Sequence, residues 1–463
     1  QGLLVSSVVH AVLLLGMVMI VVGRNYTPPL PGFSATWLSE EAARIARMPA
    51  APVRISPMAA SPTEEAPATD QGTKPPPADA AGNPSSPPTP VRPVPVEQLL
   101  ATRDAKRKQQ ILGSFGENDD IERAVSRGLA WLKRQQQQGG NWRLHDGYPD
   151  ASYSTLWTDT GATALALLAL QGAGHNHAGG EFATTIGNGL NWLKSIQKAD
   201  GDFHDHYELG RQTAFYAHSQ ATIAICEALI LTGDESFREP AERAVGFLLK
   251  SQQPLQGGWK YQPQDEMTVG DLSVTGWALM ALHTARAASV PVPDDAFRKS
   301  SLFLDACQER DGSRYKYMPN DPADRVTASM TAEGLLCRQY LGWSRENPQL
   351  LDGVEWLLSS ELQPQWVAGR RHVYEWYYTG NVLHNQGGDT FKTWYSTVAG
   401  EILGHQVKRG SSRPGQDVRG SWHPSDPPGN PFEYADKAGR LYLTSMCLLV
   451  LETPWRHSPI YSE

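Results

Sequence analysis

Three absences frame this sequence. Cysteine is scarce: Cys226, Cys307, Cys337 and Cys447 are the only four in 463 residues, all inside apolar, helix-spaced stretches. They form no spaced framework and read as buried thiols, which leaves the redox compartment open. Long basic runs are missing too. With 41 Lys plus Arg against 49 Asp plus Glu the net charge is −8, so a nucleic-acid partner has no electrostatic footprint. Proline, finally, is ordinary over most of the chain, at 20 in 416 residues, yet 14 crowd the 47 positions from Pro49 to Pro95. One block is therefore a tether, and the rest reads as globular.

What stands before the tether is a membrane segment. Leu3–Val22 is a run of 20 residues with no Asp, Glu, Lys or Arg, close to the ~20 that cross a bilayer as a helix. It is expected to be an uncleaved single-pass anchor, since no small-x-small cleavage pattern follows. Ser6 and His10 lie four apart and so share one helix face. The tether proper, 48–96, is too poor in apolar residues to fold; in polyproline II its 49 residues could reach ~150 Å. The expected organisation is an anchor over 3–22, a Pro/Ala-rich disordered tether over 23–96, a charged lead-in helix over 97–116, and a globular domain over 117–463.

That domain repeats itself six times. A turn of pattern Gln-x-x-x-Gly-x-(Trp/Phe) recurs at Gln136/Gly140/Trp142, Gln197/Gly201/Phe203, Gln253/Gly257/Trp259 and Gln416/Gly420/Trp422. Gln308/Gly312 repeats it with the aromatic delayed to Tyr315, and a degenerate copy ends at Trp366. Each turn follows an amphipathic stretch such as GLAWLKRQQ or GLNWLKSIQ. Each is followed by a stretch that is apolar nearly all round, such as GATALALLAL or LYLTSMCLLVL, with a threonine (Thr163, Thr222, Thr275, Thr331, Thr379, Thr444) in a fixed place. The first pattern predicts an outer helix and the second a buried inner one. Six such pairs predict an all-α, (α/α)6 toroid.

These turns, together with GGWKYQPQDEMTVGDLSVTGWALMAL and TASMTAEGLLCRQYLGW, resemble the bacterial prenyltransferase/squalene-oxidase repeat proteins. Their superfamily includes squalene–hopene cyclases, protein prenyltransferase β subunits and complement-like thioester domains. The resemblance implies a toroid with a site in its central cavity. The superfamily's three chemistries leave no matching motif here: no Asp-x-Asp-Asp acid, no Cys beside Asp271 to complete a zinc triad, and no Gly-Cys-Gly-Glu-Gln thioester element. The Ser-x-x-x-His anchor ahead of a Pro-rich tether resembles TonB-type proteins, which implies a motor-complex partner through Ser6 and His10.

Four residues before each repeat threonine stand Asp159, His218, Asp271, Thr327, Glu375 and Arg440, one turn back on the same helix face. Converging inner helices would set them as a ring at one mouth. Asp271, Glu375 and His218 are the acid/base candidates; Asp159, Thr327 and Arg440 complete the ring, although Asp and Thr there also suit helix capping. Aromatic Trp157, Tyr216, Trp277, Trp376, Tyr377 and Tyr378 are expected to line the cavity, where they can hold cations, sugars or polyprenyl chains. His204, His206 and His218 could meet as metal ligands, but surface-loop histidines explain them as well, and no cofactor is implied. Three readings follow. The toroid binds a lipid, glycan or peptide; or it is an enzyme acting on a terpenoid or polysaccharide; or it is an envelope protein driven through its anchor. In each it is membrane-bound with the toroid on the exported side.

Overall fold

The computed structural model describes residues 98–115, 119–204, 213–261, 269–319, 324–410 and 416–461. The anchor with Ser6 and His10, the tether, and His206 lie outside the described residues. A short turn at Ala101–Arg103 leads into α1 (Ala105–Gly113), which Asp104 caps through the amides of Lys106 and Arg107. The lead-in is thus helical over a shorter span than the charge pattern predicts.

Six outer helices follow: α2 (Asp119–Gln135), α4 (Ala183–Ile196), α6 (Arg238–Ser251), α8 (Asp294–Cys307), α10 (Pro348–Leu357) and α12 (Gly388–His405). They alternate with six inner ones: α3 (Asp159–Gly172), α5 (Ala214–Thr232), α7 (Leu272–Ala287), α9 (Ala328–Tyr340), α11 (Val373–Gln386) and α13 (Ala435–Arg456). Burial separates the two sets as periodicity predicts. Every residue of α3 is buried, whereas α4 buries one stripe made of Thr185, Ile186, Gly189, Leu190 and Leu193. Each inner helix packs on the next, and α13 returns to α3 as α12 returns to α2. The chain is an all-α toroid of six helix pairs closed into a ring. α5 is also long and apolar enough to cross a membrane, but it is largely buried between its neighbours.

The repeat signature is the hydrogen-bonding that holds the ring. The indoles of Trp142, Trp259 and Trp422 donate to the carbonyls of Leu132, Leu248 and Ile402, in the last turn of the preceding outer helix. Their backbone amides donate to the repeat threonines: Trp142 to Thr163, Trp259 to Thr275, Trp422 to Thr444, with Tyr315 to Thr331 alike. The turn glutamine reaches forward: Gln136 Nε2 bonds the Gly140 carbonyl and the Thr185 carbonyl of the next outer helix. Two of the predicted glutamines are replaced in this role. Gln252, not Gln253, bonds Gly257 and Ala296, and Gln406, not Gln416, bonds Gly420 and Ala124. Helix ends set this, because Gln252 and Gln406 are the residues that directly follow α6 and α12. Gly420 closes the ring: at φ 92° a Cβ would stand 2.1 Å from the Arg127 carbonyl of α2.

Around the hairpin between α8 and α9, β1 (Gln308–Glu309) pairs antiparallel with β2 (Arg314–Tyr315). All inner helices run the same way. Gln171 of α3 donates to the Ala224 carbonyl of α5, and Gln339 of α9 to the Val382 carbonyl of α11, at matching heights. One mouth of the toroid therefore collects the inner N-termini and the other the inner C-termini.

Candidate functional site

At the N-terminal mouth Asp271 is fully buried and caps α7 by accepting from the Val274 amide at 2.9 Å. The capping expectation is met here and at Thr327, which accepts from the Met330 amide. Asp271 does more than cap. Its carboxylate also accepts from Ser273 Oγ at 2.9 Å and Tyr317 OH at 3.0 Å, with Lys260 Nζ at 3.3 Å. The chain continues at both ends, since Tyr216 OH lies 2.5 Å from Ser273 Oγ and the Tyr261 and Tyr317 hydroxyls bond to each other. Burial raises the Asp271 carboxyl above its ordinary value against the pull of Lys260 and its donors.

A second acid, absent from the sequence candidates, stands on the neighbouring inner helix. Glu333 of α9 is fully buried; Tyr374 OH donates to its Oε2 at 3.0 Å, while Oε1 has no hydrogen-bond partner among the described residues. Gly276 of α7 makes room for it, since a Cβ there would meet Oε1 at 2.0 Å. Burial holds this carboxyl well above the usual range, with the hydroxyls of Tyr378 and Tyr374 opposing. Tyr374 and Tyr378 meet edge-on at 5.0 Å, and Tyr377 stacks on Trp277 at 5.8 Å, so aromatic rings fill the space inside the inner helices. Beside Trp277 and Tyr377, toward Arg456 and the inner C-termini, lies a void of about 10 Å³, no more than a water's worth.

Glu375, third residue of α11, is different again. It is 9% exposed, no side-chain partner among the described residues engages it, and burial lifts its carboxyl to about 8. The amide of Glu375 is satisfied by His372 Nδ1, which caps the helix. A carboxyl so placed changes charge near neutral pH.

The other predicted residues have full structural employment. His218 Nδ1 accepts from the Phe203 amide and Nε2 donates to the Ala244 carbonyl; burial lowers it to about 4, so it is a neutral core imidazole. It takes over in the second repeat what threonine does elsewhere. Asp159 opens α3 without capping it, a task held by Thr158, and instead accepts from Asn141 and Arg143. Arg440 pairs with Asp150 at 2.5 Å and donates to Ser421. Trp157 is half-exposed and stacks on His145, and Trp376 lies beside the plug Trp366. The six ring positions thus do not act as one ring. Among the described residues no three His, Cys, Asp or Glu come together as a metal site; His204 is described and His206 is not.

The opposite mouth is sealed. Arg103, from the lead-in turn, makes a bidentate bond to Glu227 of α5 at 2.6 and 2.8 Å and donates to the Arg456 carbonyl. Arg456 of α13 reaches the same Glu227 at 3.3 Å, together with Glu452 at 3.2 Å. Burial alone would raise Glu227; the two guanidinium groups overcome it and hold the carboxylate well below its usual range. The sequence candidates omit Glu227 and Glu333, yet each is the one acidic residue of its inner helix, which is the signal that finds them.

Comparison with known proteins places this geometry. Residues 109–218 match the squalene-hopene cyclase C-terminal domain. A probable squalene–hopene cyclase of Sinorhizobium fredii is 26% identical over 269 residues, covering 52% of this chain and 40% of that protein. A lanosterol synthase of Aspergillus fumigatus is 26% identical over 145 residues, 30% of this chain and 17% of that protein. The chain thus spans less than half the length of these curated relatives. Among solved structures, an unsaturated glucuronyl hydrolase specific for heparin superposes with TM-score 0.50 at 11% identity, over 73% of this chain and 97% of that one. A type II terpene cyclase from Scytonema, in complex with geranylgeranyl dihydroxybenzoate, superposes with TM-score 0.44 at 13% identity, over 73% and 98%. The superposition at TM-score 0.50 shows the α/α-toroid fold.

Proposed function

We propose that the toroid binds a neutral, largely apolar ligand of the terpenoid or polyprenyl class at its N-terminal mouth. One observation carries this: the buried acids there, Glu333 and Glu375, have no cationic partner among the described residues and are raised by burial, Glu375 to about 8. Near neutral pH Glu375 is an uncharged carboxyl group, and Glu333, raised by burial, stands against Tyr374 and Tyr378, so the mouth offers aromatic faces and hydrogen-bonding groups. Such walls suit an isoprenoid bearing a hydroxyl or carbonyl better than an anionic ligand. The likeness of residues 109–218 to a cyclase domain supports the ligand class. The sequence offers no Asp-x-Asp-Asp acid for cyclisation, so the reading is of binding. The anchor at 3–22 and the tether would keep the toroid within reach of a bilayer in which such ligands dissolve.

The test is to isolate the full chain in mild detergent and identify what is bound by native mass spectrometry and organic extraction. An isoprenoid should co-purify with the parent protein and with Glu375→Gln, and be lost from Glu375→Lys, which fixes a charge at the mouth. A co-purifying glycan or peptide, or an isoprenoid retained by Glu375→Lys, refutes the reading.

A further inference from the structure

Two segments outside the repeats cross the mouth of the inner C-termini. The lead-in covers one side of it. Phe115 packs edge-on against Phe391 and Tyr395 of α12. Lys108 lies over the Trp455 ring of α13 at 5.1 Å and reaches the Ala173 carbonyl just after α3. Arg103 bonds Glu227 of α5, and Leu99 and Leu100 end on Ala287 of α7 beside Ile230 and Leu231. The residues after α13 cover the other side: the Ile460 amide donates to Asn385 of α11 at 3.0 Å, and Tyr461 OH donates to the Trp343 carbonyl, just beyond α9, at 2.5 Å. The two segments meet at Ser458, whose amide and hydroxyl donate to the Leu99 and Gln98 carbonyls, both at 2.7 Å. Every inner helix is thus touched at its C-terminal end.

Residues 98–103 are held more lightly than the rest of this cover. α1 is capped by Asp104 and fastened through Lys108 and Phe115, so it does not depend on the turn before it. Leu99 and Leu100 belong to a small apolar cluster separate from the main core. The strongest hold is ionic, the bidentate pair of Arg103 with Glu227. Breaking a buried pair is costly when it strands the other charge. Here Arg456 stays 3.3 Å from Glu227 after Arg103 has left for water, so the carboxylate keeps a counter-ion. Few apolar contacts and a replaceable ion pair favour local opening over global unfolding. Beneath Leu99 lies the void bordered by Trp277, Thr284, Tyr377 and Arg456, so an opening here meets the interior of the toroid.

We infer that residues 98–103 form a gate, hinged at Asp104, whose opening gives the aromatic interior a second entrance at the inner C-termini. The gate follows the Pro-rich stretch directly in sequence. A pull along the chain from 48–96 therefore loads Leu99 before any residue of the ring. The inference does not rest on the ligand proposed for the opposite mouth, since the gate opens or stays shut whatever binds there.

Thiol labelling of the full chain in detergent tests it, with N-ethylmaleimide as the probe and Thr284→Cys as the reporter under Leu99. The four native cysteines are buried and serve as internal controls, each read separately by peptide mass mapping. The introduced thiol should react ahead of all four. Its rate should rise roughly tenfold when Arg103→Gln is added, since a charge-assisted hydrogen bond is at stake. Leu99→Ser, which leaves the ion pair in place, should raise the same rate while the native thiols stay protected. A reporter that reacts only in step with the native cysteines, or at a rate indifferent to both substitutions, overturns the proposal. So does labelling of all five thiols in Arg103→Gln, because Arg456 should then suffice to keep the ring folded around Glu227.

Discussion

The two mouths of the toroid handle the same physical problem in opposite ways. Both bury carboxyl groups between inner helices. At the C-terminal mouth Glu227 is met by Arg103 and Arg456 and stays ionised. At the N-terminal mouth Glu333 is met by tyrosines and Glu375 has no charged partner among the described residues, and burial pushes both up. Glu227 with its two arginine partners is a lock, since its charge holds both of them, whereas Glu452, which has Arg456 alone at close range, is raised by burial to about 8. A buried acid without them is a group that can gain or lose a proton, or hydrogen-bond a neutral ligand.

The largest expected effect breaks the lock. Glu227→Ala leaves Arg103 and Arg456 buried without their shared counter-ion, and such a loss costs ~3–5 kcal/mol; chemical denaturation of the full chain reads it directly. Replacing Glu333 by Gln at the other mouth should cost far less, because among the described residues no arginine or lysine relies on Glu333 and an amide oxygen can still accept from Tyr374. Equal losses would erase the distinction between the mouths.

Next comes ring closure. Gly420→Ala forces a methyl into the Arg127 carbonyl at a positive φ, with an expected destabilisation of at least ~2 kcal/mol. Gly400 of α12, with nothing within 4 Å of an added Cβ, serves as the control; Gly400→Ala should be neutral or slightly stabilising.

The repeat threonine allows a finer comparison. Thr275→Val removes the acceptor of the Trp259 amide and should cost ~1–3 kcal/mol, the range for a buried group left unsatisfied. Thr379→Val should cost nothing, because the Thr379 hydroxyl has no partner and the Trp366 amide bonds Glu401 instead. A thermal melt of the pair decides whether position or hydrogen bond matters.

The smallest effect is in pH dependence. The folded-state value of Glu375, about 8, exceeds the ordinary carboxyl value of 4.5. Between these values the unfolded chain has lost a proton that the folded one keeps, so this group's stabilisation is full below pH 4.5 and is lost as pH rises through about 8. Glu375→Gln should therefore flatten the decline in melting temperature over that window, and an unchanged slope would show that the carboxyl is not protonated in the folded protein. His218, lowered to about 4, acts in the opposite sense: its contribution is present above pH 6.5 and is lost as pH falls through 4.

Much of the fold was legible in the sequence because it is repeated: six turns, six threonines and two helix periodicities fix which helix lies inside. The site was legible only in part. Counting back from threonine picked Asp271, Glu375 and His218 as acid/base candidates and set Asp159 and Arg440 beside them, but it did not show that the partners of His218, Asp159 and Arg440 (Phe203, Asn141 and Asp150) come from other segments. Capping likewise went to Thr158 instead of Asp159, a one-residue difference in where α3 begins.

By itself the sequence determined the helix pairing, the buried inner set and the closed ring, since amphipathic period and a fixed repeat are local properties that each copy states again. Tertiary structure alone decided which acids are charged. That depends on whether an arginine from position 103 or 456 arrives beside a carboxylate 124 or 229 residues away. The electrostatic fate of a buried group is set by its neighbours in space, and no period in the chain encodes them.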